Sequence, residues 1–260
     1  MLRVVLPLVI MIWPASAQVP GDPLQQALAL FNSGKYRECF DIVSPFVRQN
    51  PNSGAAHKLL GMDEYMLGKS REALLEVQRA TELTPDDPDA FYYLGRLYFS
   101  ADNAVAALAA FQRAIALDPS SVRGHNQLGQ TYEGLGRPAD AERAYLKAIE
   151  LERSQLKASE WPYYNLGLLY LNSGRSEASM PYFQQALACN PAFPEAKIKL
   201  AAALSNQKLS NEALKLLEEA VKIDPRNAEA HYRLALLLSK IGKQEEAQEH
   251  FALFQKYRNP

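Results

Sequence analysis

The sequence predicts an all-helical protein, a solenoid of about seven helix-turn-helix repeats, and three observations lead to this class. Prolines recur 34 residues apart at Pro51, Pro85 and Pro119, and again at Pro191 and Pro225. A small residue recurs at one position of every such interval, and glycines recur near its middle. Internal repeats with periods of roughly 20 to 50 residues are typical of solenoids, so we expect one elongated array.

The repeats divide the chain from residue 18 to residue 260. With equivalent positions aligned, they lie near residues 20–53, 54–87, 88–121, 122–159, 160–193, 194–227 and 228–260. The fourth repeat carries four additional residues, between Glu152 and Glu160, which amount to one turn of helix. We expect them to lengthen the second helix of that repeat. The alternative is a local change in superhelical pitch beside Trp161.

Columns of equivalent residues indicate two helices in each repeat. The eighth position is always small, occupied by Ala27, Gly61, Gly95, Gly129, Gly167, Ala201 and Ala235. Bulky residues precede it and recur in the second half, and spacings of three, four and seven place them on one helical face. Between the two halves of a repeat stands a glycine, which suits a helix C-terminus where the backbone needs positive φ. These residues are Gly34, Gly68, Gly136, Gly174 and Gly242. Small residues in the core column let neighbouring helices approach closely.

These columns resemble the tetratricopeptide repeat (TPR), most clearly in Ala90–Pro119 and Tyr163–Pro191. The resemblance covers about residues 20–259 and implies a right-handed superhelix whose inner groove receives a peptide. The pentatricopeptide class, which reads RNA, has a longer period, and the small-residue columns and neutral charge disfavour it. The end repeats depart from the pattern, with Gln26 and Phe46 in the first repeat and Phe254 in the last, as expected for repeats that lack one neighbour.

The N-terminal 17 residues have the layout of a signal peptide. Arg3 is the single charge, an apolar run extends from Val4 to Trp13, and Ala15-Ser16-Ala17 supplies the small residues of a cleavage site. We therefore expect cleavage after Ala17, a secreted or periplasmic location, and no stable membrane insertion after cleavage. An uncleaved membrane anchor is the alternative.

The charge balance disfavours nucleic acid as a partner. Lys plus Arg number 28 and Asp plus Glu number 29, which gives no basic footprint for nucleic acid.

The two cysteines, Cys39 and Cys189, are too few for a disulfide framework in an exported protein. We expect two free, buried thiols, with an intermolecular disulfide as the alternative.

The sequence contains no recognisable catalytic motif, so we expect a non-enzymatic protein without cofactor or metal. Phosphate-binding glycine loops, nucleophile elbows and zinc-binding motifs are all absent from it. His57, His125 and His231 share the fourth position of their repeats, which indicates a packing column in separate repeats and not a converging metal site.

The residues opposite the packing face of the first helices are predicted to line the groove. A merely solvated face would be rich in Lys and Glu, whereas this one mixes aromatic rings with amides that can bond a peptide backbone. The predicted peptide-binding residues are Tyr92, Arg96, Phe99, Asn126, Gln130, Tyr164, Leu168 and Asn172, with Tyr92 and Tyr164 as anchors. The alternative is that these rings only pack against the next helix.

Two functions follow as expectations. The first is an exported scaffold that binds a protein or peptide partner in the concave groove. The second is a self-assembling structural component of an envelope or secretion complex. The second would use apolar residues of the last helix, including Phe251 and Phe254, in a homodimer.

Overall fold

The computed structural model describes residues 22–152 and 158–258, and within these ranges it contains fourteen helices and no strand. The predicted all-α class is confirmed. The predicted signal peptide, residues 1–17, lies outside the described residues, and so do residues 153–157, in the segment that carries the four additional residues. The chain divides into two compact units, Met1–Leu83 and Thr84–Pro260. We call them the N-terminal unit and the C-terminal unit.

The N-terminal unit contains two helix pairs in which each helix packs against the next. The helices are α1 (Pro23–Asn32), α2 (Tyr36–Gln49), α3 (Gly54–Met66) and α4 (Ser70–Leu83). Ala27, Cys39, Val43 and Leu60 are among its buried core residues.

The C-terminal unit contains five helix pairs stacked in chain order. Its helices are α5 (Pro88–Ser100), α6 (Ala104–Leu117), α7 (Val122–Gly134), α8 (Pro138–Glu152), α9 (Trp161–Asn172), α10 (Ser176–Cys189), α11 (Pro194–Asn206), α12 (Ser210–Ile223), α13 (Ala228–Lys240) and α14 (Gln244–Tyr257). Each helix packs on the next, and each first helix of a pair also contacts the first helix of the following pair. The first helices α5, α7, α9, α11 and α13 therefore form one continuous layer.

Helix ends follow from local sequence. The side chains of Ser53, Asp87 and Ser121 each accept a hydrogen bond from a backbone N–H in the first turn of the helix that follows. The five glycines predicted at helix C-termini all have φ between +69° and +86°. Where the repeat has no glycine, Asp102 and Lys208 adopt the same left-handed conformation, with φ of 58° and 63°.

The small-residue column lets the two helices of each pair pack around a ring or a branched side chain. A Cβ added at Gly95 would lie 2.6 Å from the Phe111 ring, and one added at Gly167 would lie 2.8 Å from the Phe183 ring. Both rings are completely buried. The column is small because the second helix fills the space that a side chain would occupy.

The histidine column has a structural role in three repeats. Nε2 of His57, His125 and His231 lies 3.0 to 3.2 Å from the carbonyl oxygen of the proline six residues earlier. Since a carbonyl only accepts, each Nε2 carries the proton and donates. Each histidine ring thereby links the first helix of its repeat to the turn that precedes it.

Both cysteines are free thiols among the described residues. Cys39 is buried, as expected, whereas Cys189 is partly exposed, contrary to expectation.

Two adjacent buried carboxylates distinguish the N-terminal unit. Asp63 is fully buried, and neither of its carboxylate oxygens has a hydrogen-bond partner of good geometry among the described residues. Burial raises the pKa of Asp63 to about 6, with the Cys39 thiol and the Lys69 ammonium acting in the opposite direction. Burial and the nearby Glu76 raise the pKa of Glu64 to about 7. The sequence analysis did not identify this pair.

The last helix pair ends in an aromatic cluster. The Phe254 and Tyr232 rings lie 5.0 Å apart between centroids, and Phe251 contacts the same tyrosine. Phe254 is thus packed on its own repeat and only partly exposed. None of the helices in the described part of the chain has the length and apolar character needed to cross a membrane.

Candidate functional site

A cavity of about 670 Å³ opens between the first helices of the C-terminal unit, and we call it the groove cavity. Its walls come from α5, α7, the end of α8, the start of α9 and the segments that precede α7 and α9. It is lined by Tyr92, Arg96, Asp118, Ser120, Ser121, Val122, Arg123, Asn126, Gln127, Gln130, Glu152, Ser159, Trp161 and Pro162.

Two polar links hold the three helices beside this cavity in register. The Arg123 guanidinium of α7 forms an ion pair with Asp89 of α5, one repeat length earlier. Asn165 of α9 donates from Nδ2 to Oδ1 of Asn126 across 2.9 Å, and both side chains are buried. A satisfied, buried amide pair of this kind fixes the orientation of Asn126.

Tyr92 forms an aromatic wall flanked by two cations. The Arg123 guanidinium carbon lies 4.5 Å and that of Arg96 6.0 Å from the centroid of the Tyr92 ring. The Tyr92 ring also packs on the Phe111 ring, with centroids 6.0 Å apart. Burial raises the pKa of the Tyr92 hydroxyl, and the two arginines oppose the rise. The phenol is therefore neutral and available as a hydrogen-bond donor and acceptor.

The structure brings together four of the eight predicted site residues. Tyr92, Arg96, Asn126 and Gln130 all line the groove cavity. These four come from equivalent positions of two successive repeats, which places two rows of side chains on one wall.

The other four lie elsewhere. Tyr164 is only 8% exposed, since its ring packs against Trp161, Phe183 and Phe193 with centroid distances of 5.1 to 6.0 Å. Leu168 packs against the same core. Phe99 is 38% exposed outside the cavity, and Asn172 lines a second cavity, of about 340 Å³, between α9, α11 and α13. The Tyr164 ring is therefore buried, because the Phe193 and Trp161 rings pack over it.

Ten of the fourteen lining residues were not among the predicted ones, and they include Arg123, Trp161 and Glu152. Arg123 occupies the second position of its repeat, which faces the groove by the same periodicity, so the pattern contained this signal. Trp161 begins α9, and Glu152 ends α8 at the insertion. Trp161 also occupies the second position of its repeat, so the same signal applied to it. Glu152 lies at the end of a second helix, outside the first helices from which the groove was predicted.

The cavity has the chemistry of a binding surface. Its amides, hydroxyls and aromatic rings can bond a peptide backbone and bury apolar side chains. No group of three or more His, Cys, Asp or Glu that could hold a metal ion occurs in the residues the structure describes.

Four models of one family, described as tetratricopeptide repeat, match the chain. They match residues 58–122, 120–192, 194–227 and 216–249. Together they span α4 to α13, most of α3 and the first six residues of α14.

Curated relatives match over short segments. The chain is 32% identical over 87 residues to the TPR repeat-containing thioredoxin TTL4 of Arabidopsis thaliana, which is 34% of this chain and 13% of that protein. It is 34% identical over 85 residues to the peroxisomal targeting signal receptor of Candida glabrata, which is 33% of this chain and 14% of the receptor. The chain thus spans about one seventh of the length of these relatives.

Solved structures share the fold at low sequence identity. Pseudomonas aeruginosa pilF has a TM-score of 0.70 at 20% identity, with 80% of this chain and 93% of that chain covered. PilW, described as a type IV pilus biogenesis factor, has a TM-score of 0.70 at 20% identity, with 78% and 92% covered. YrrB, described as a TPR protein with an unusual peptide-binding site, has a TM-score of 0.55 at 22% identity, with 70% and 91% covered. With its helix pairs, its small-residue column and four matching models of one description, this chain is a tetratricopeptide-repeat protein.

Proposed function

We propose that this chain is an exported protein–protein interaction scaffold that binds an extended peptide segment of a partner protein in the groove cavity. The observation that carries the proposal is the convergence of Tyr92, Arg96, Asn126 and Gln130 on one cavity of about 670 Å³. A peptide placed there would meet side-chain amides that bond its backbone and a tyrosine that anchors one of its side chains.

The relatives support binding of a protein segment. One is a targeting signal receptor and another has a peptide-binding site, by their descriptions. Export rests on the layout of residues 1–17 and is in keeping with the fold shared with a pilus biogenesis factor.

The test is a matched pair of double variants in a capture experiment. Arg96→Ala/Gln130→Ala removes two cavity side chains, whereas Arg143→Ala/Gln184→Ala removes the same two residue types from exposed positions on the second helices α8 and α10. We expect the cavity variant to lose roughly tenfold or more in affinity for the captured partner while its helical melting transition is kept. The control should bind like the wild type.

Three results of this experiment would contradict parts of the proposal. Equal affinity of both double variants would place the binding site outside the groove cavity. Capture of further copies of the chain alone would favour the self-assembling component, with the Tyr232–Phe254 end as the contact. The bait is purified from the exported fraction, and an N-terminus at Met1 in place of Gln18 would contradict cleavage.

A further inference from the structure

One carboxylate of the groove cavity has an unmet bonding requirement. Glu152 is only 1% exposed and lines the cavity. Its Oε1 accepts a hydrogen bond from the Ser159 backbone N–H at 2.5 Å, whereas its Oε2 has no hydrogen-bond partner among the described residues. A buried carboxylate oxygen without a partner costs free energy that a ligand donor can recover.

The surroundings of Glu152 favour a cation over a neutral donor. Burial and the negative charges of Glu152 and Glu160 raise the pKa of the nearby Cys189 thiol, so a second carboxylate, that of Glu160, acts on the same thiol as Glu152. The arginines stand at the Tyr92 wall, on α5 and α7, where Arg123 is paired with Asp89. Glu152 comes from the end of α8 and Asp118 from the segment before α7, so the lining carries two carboxylates as well as the two arginines.

Trp161 supplies a second recognition element beside the carboxylate. Its ring is 46% exposed and is held by edge contacts with Tyr164 and Phe193, at centroid distances of 6.0 and 5.1 Å. An indole face fixed in this way attracts an ammonium or guanidinium group and packs against the methylene stem that carries it.

We propose that Glu152, Ser159 and Trp161 form a seat for a lysine or arginine side chain of the bound peptide. The inference rests on the proposed function and adds the class of residue that the peptide must carry. Glu152 pairs with the cationic head, Trp161 covers the stem, and the amide wall of Asn126 and Gln130 bonds the backbone. Selectivity arises because a peptide without the cation leaves Glu152 buried and unpaired.

The test uses peptides of 12 residues, selected from a random displayed library on the full chain and then synthesised with acetylated N-termini. Acetylation removes the terminal amine as a source of positive charge. We expect the selected peptides to share one Lys or Arg. Its replacement by norleucine, which keeps the stem and removes the charge, should weaken binding at least tenfold on the wild-type chain.

Variants assign this effect to Glu152. Glu152→Gln keeps the size of the side chain and should bind the parent peptide at least tenfold more weakly, with less than a twofold difference between the parent and norleucine peptides. Glu150→Gln makes the same charge change at an exposed position of α8 and should match the wild type. If Glu152→Gln does not fold, the norleucine comparison on the wild-type chain decides.

The failures of the two proposals are distinguishable. If the parent peptide depends on Arg96 and Gln130 but binds equally well to the wild type and to Glu152→Gln, or equally well with norleucine, the basic seat is wrong and the groove remains. If no selected peptide loses affinity in the Arg96→Ala/Gln130→Ala variant, both proposals fail.

Discussion

Gly129→Ala is expected to destabilise the C-terminal unit by about 1 to 3 kcal/mol. A Cβ at this position would overlap the Tyr145 ring, whose nearest atoms are Cε1 and Cδ1. The ring cannot yield, because it is fully buried and its hydroxyl donates to Oε1 of Glu133 at 2.5 Å. Urea unfolding followed by circular dichroism measures the loss.

The same helix provides a matched control. Gly134→Ala changes the last residue of α7, where an added Cβ would lie 4.0 Å from Cε2 of Phe99. We expect this variant to be as stable as the wild type or more stable by about 0.5 kcal/mol, because alanine is the better helix former. Equal destabilisation of both variants would show that the small column does not arise from close packing.

Asp63→Asn is expected to stabilise the N-terminal unit at pH 8 by about 1 to 3 kcal/mol. The carboxyl has an ordinary pKa of 3.8 and a folded pKa of about 6, and each pKa unit corresponds to about 1.4 kcal/mol. Because the folded state holds the proton more tightly, the penalty is fully present above pH 6 and disappears as the pH falls below about 4. Asparagine removes the charge and therefore the penalty.

Hydrogen exchange of the α3 amides at pH 8 and at pH 4 measures the free energy of unfolding of the N-terminal unit. The stability advantage of Asp63→Asn over the wild type should be smaller at pH 4 than at pH 8. Asp41→Asn, at an exposed position of α2, is the control and should show no such change. An Asp63→Asn variant that is less stable than the wild type at pH 8 would mean that the carboxylate has a partner in solution.

The fold could be predicted from the sequence because its determinants are local and repeated. Gly34 and Gly136 terminate helices by a backbone conformation that glycine favours, and Gly95 faces a ring from the same repeat. Each such feature recurs about every 34 residues, so a periodic search finds it. Lys208 shows where the periodic search fails, since it adopts the positive φ that glycine has in other repeats although it is a lysine.

Sequence periodicity reached only part of the groove cavity, because the geometry of the cavity depends on contacts between repeats. Periodicity placed Tyr92 and Tyr164 at equivalent positions, yet Phe193 and Trp161 bury only the second ring. Glu152 ends a second helix, and the prediction covered only the first helices, although the folded chain brings it to the cavity. Asp63 is buried through the packing of α3 on neighbouring helices, and Cys39 of α2 lies beside it.

Site-specific photocrosslinking tests the central claim, that the partner occupies the groove cavity, most directly. A photoreactive phenylalanine analogue replaces Gln130 in the cavity or Gln184 at an exposed position of α10. The claim predicts a covalent adduct with the captured partner from position 130 and none from position 184. An adduct from position 184 without one from position 130 would contradict it.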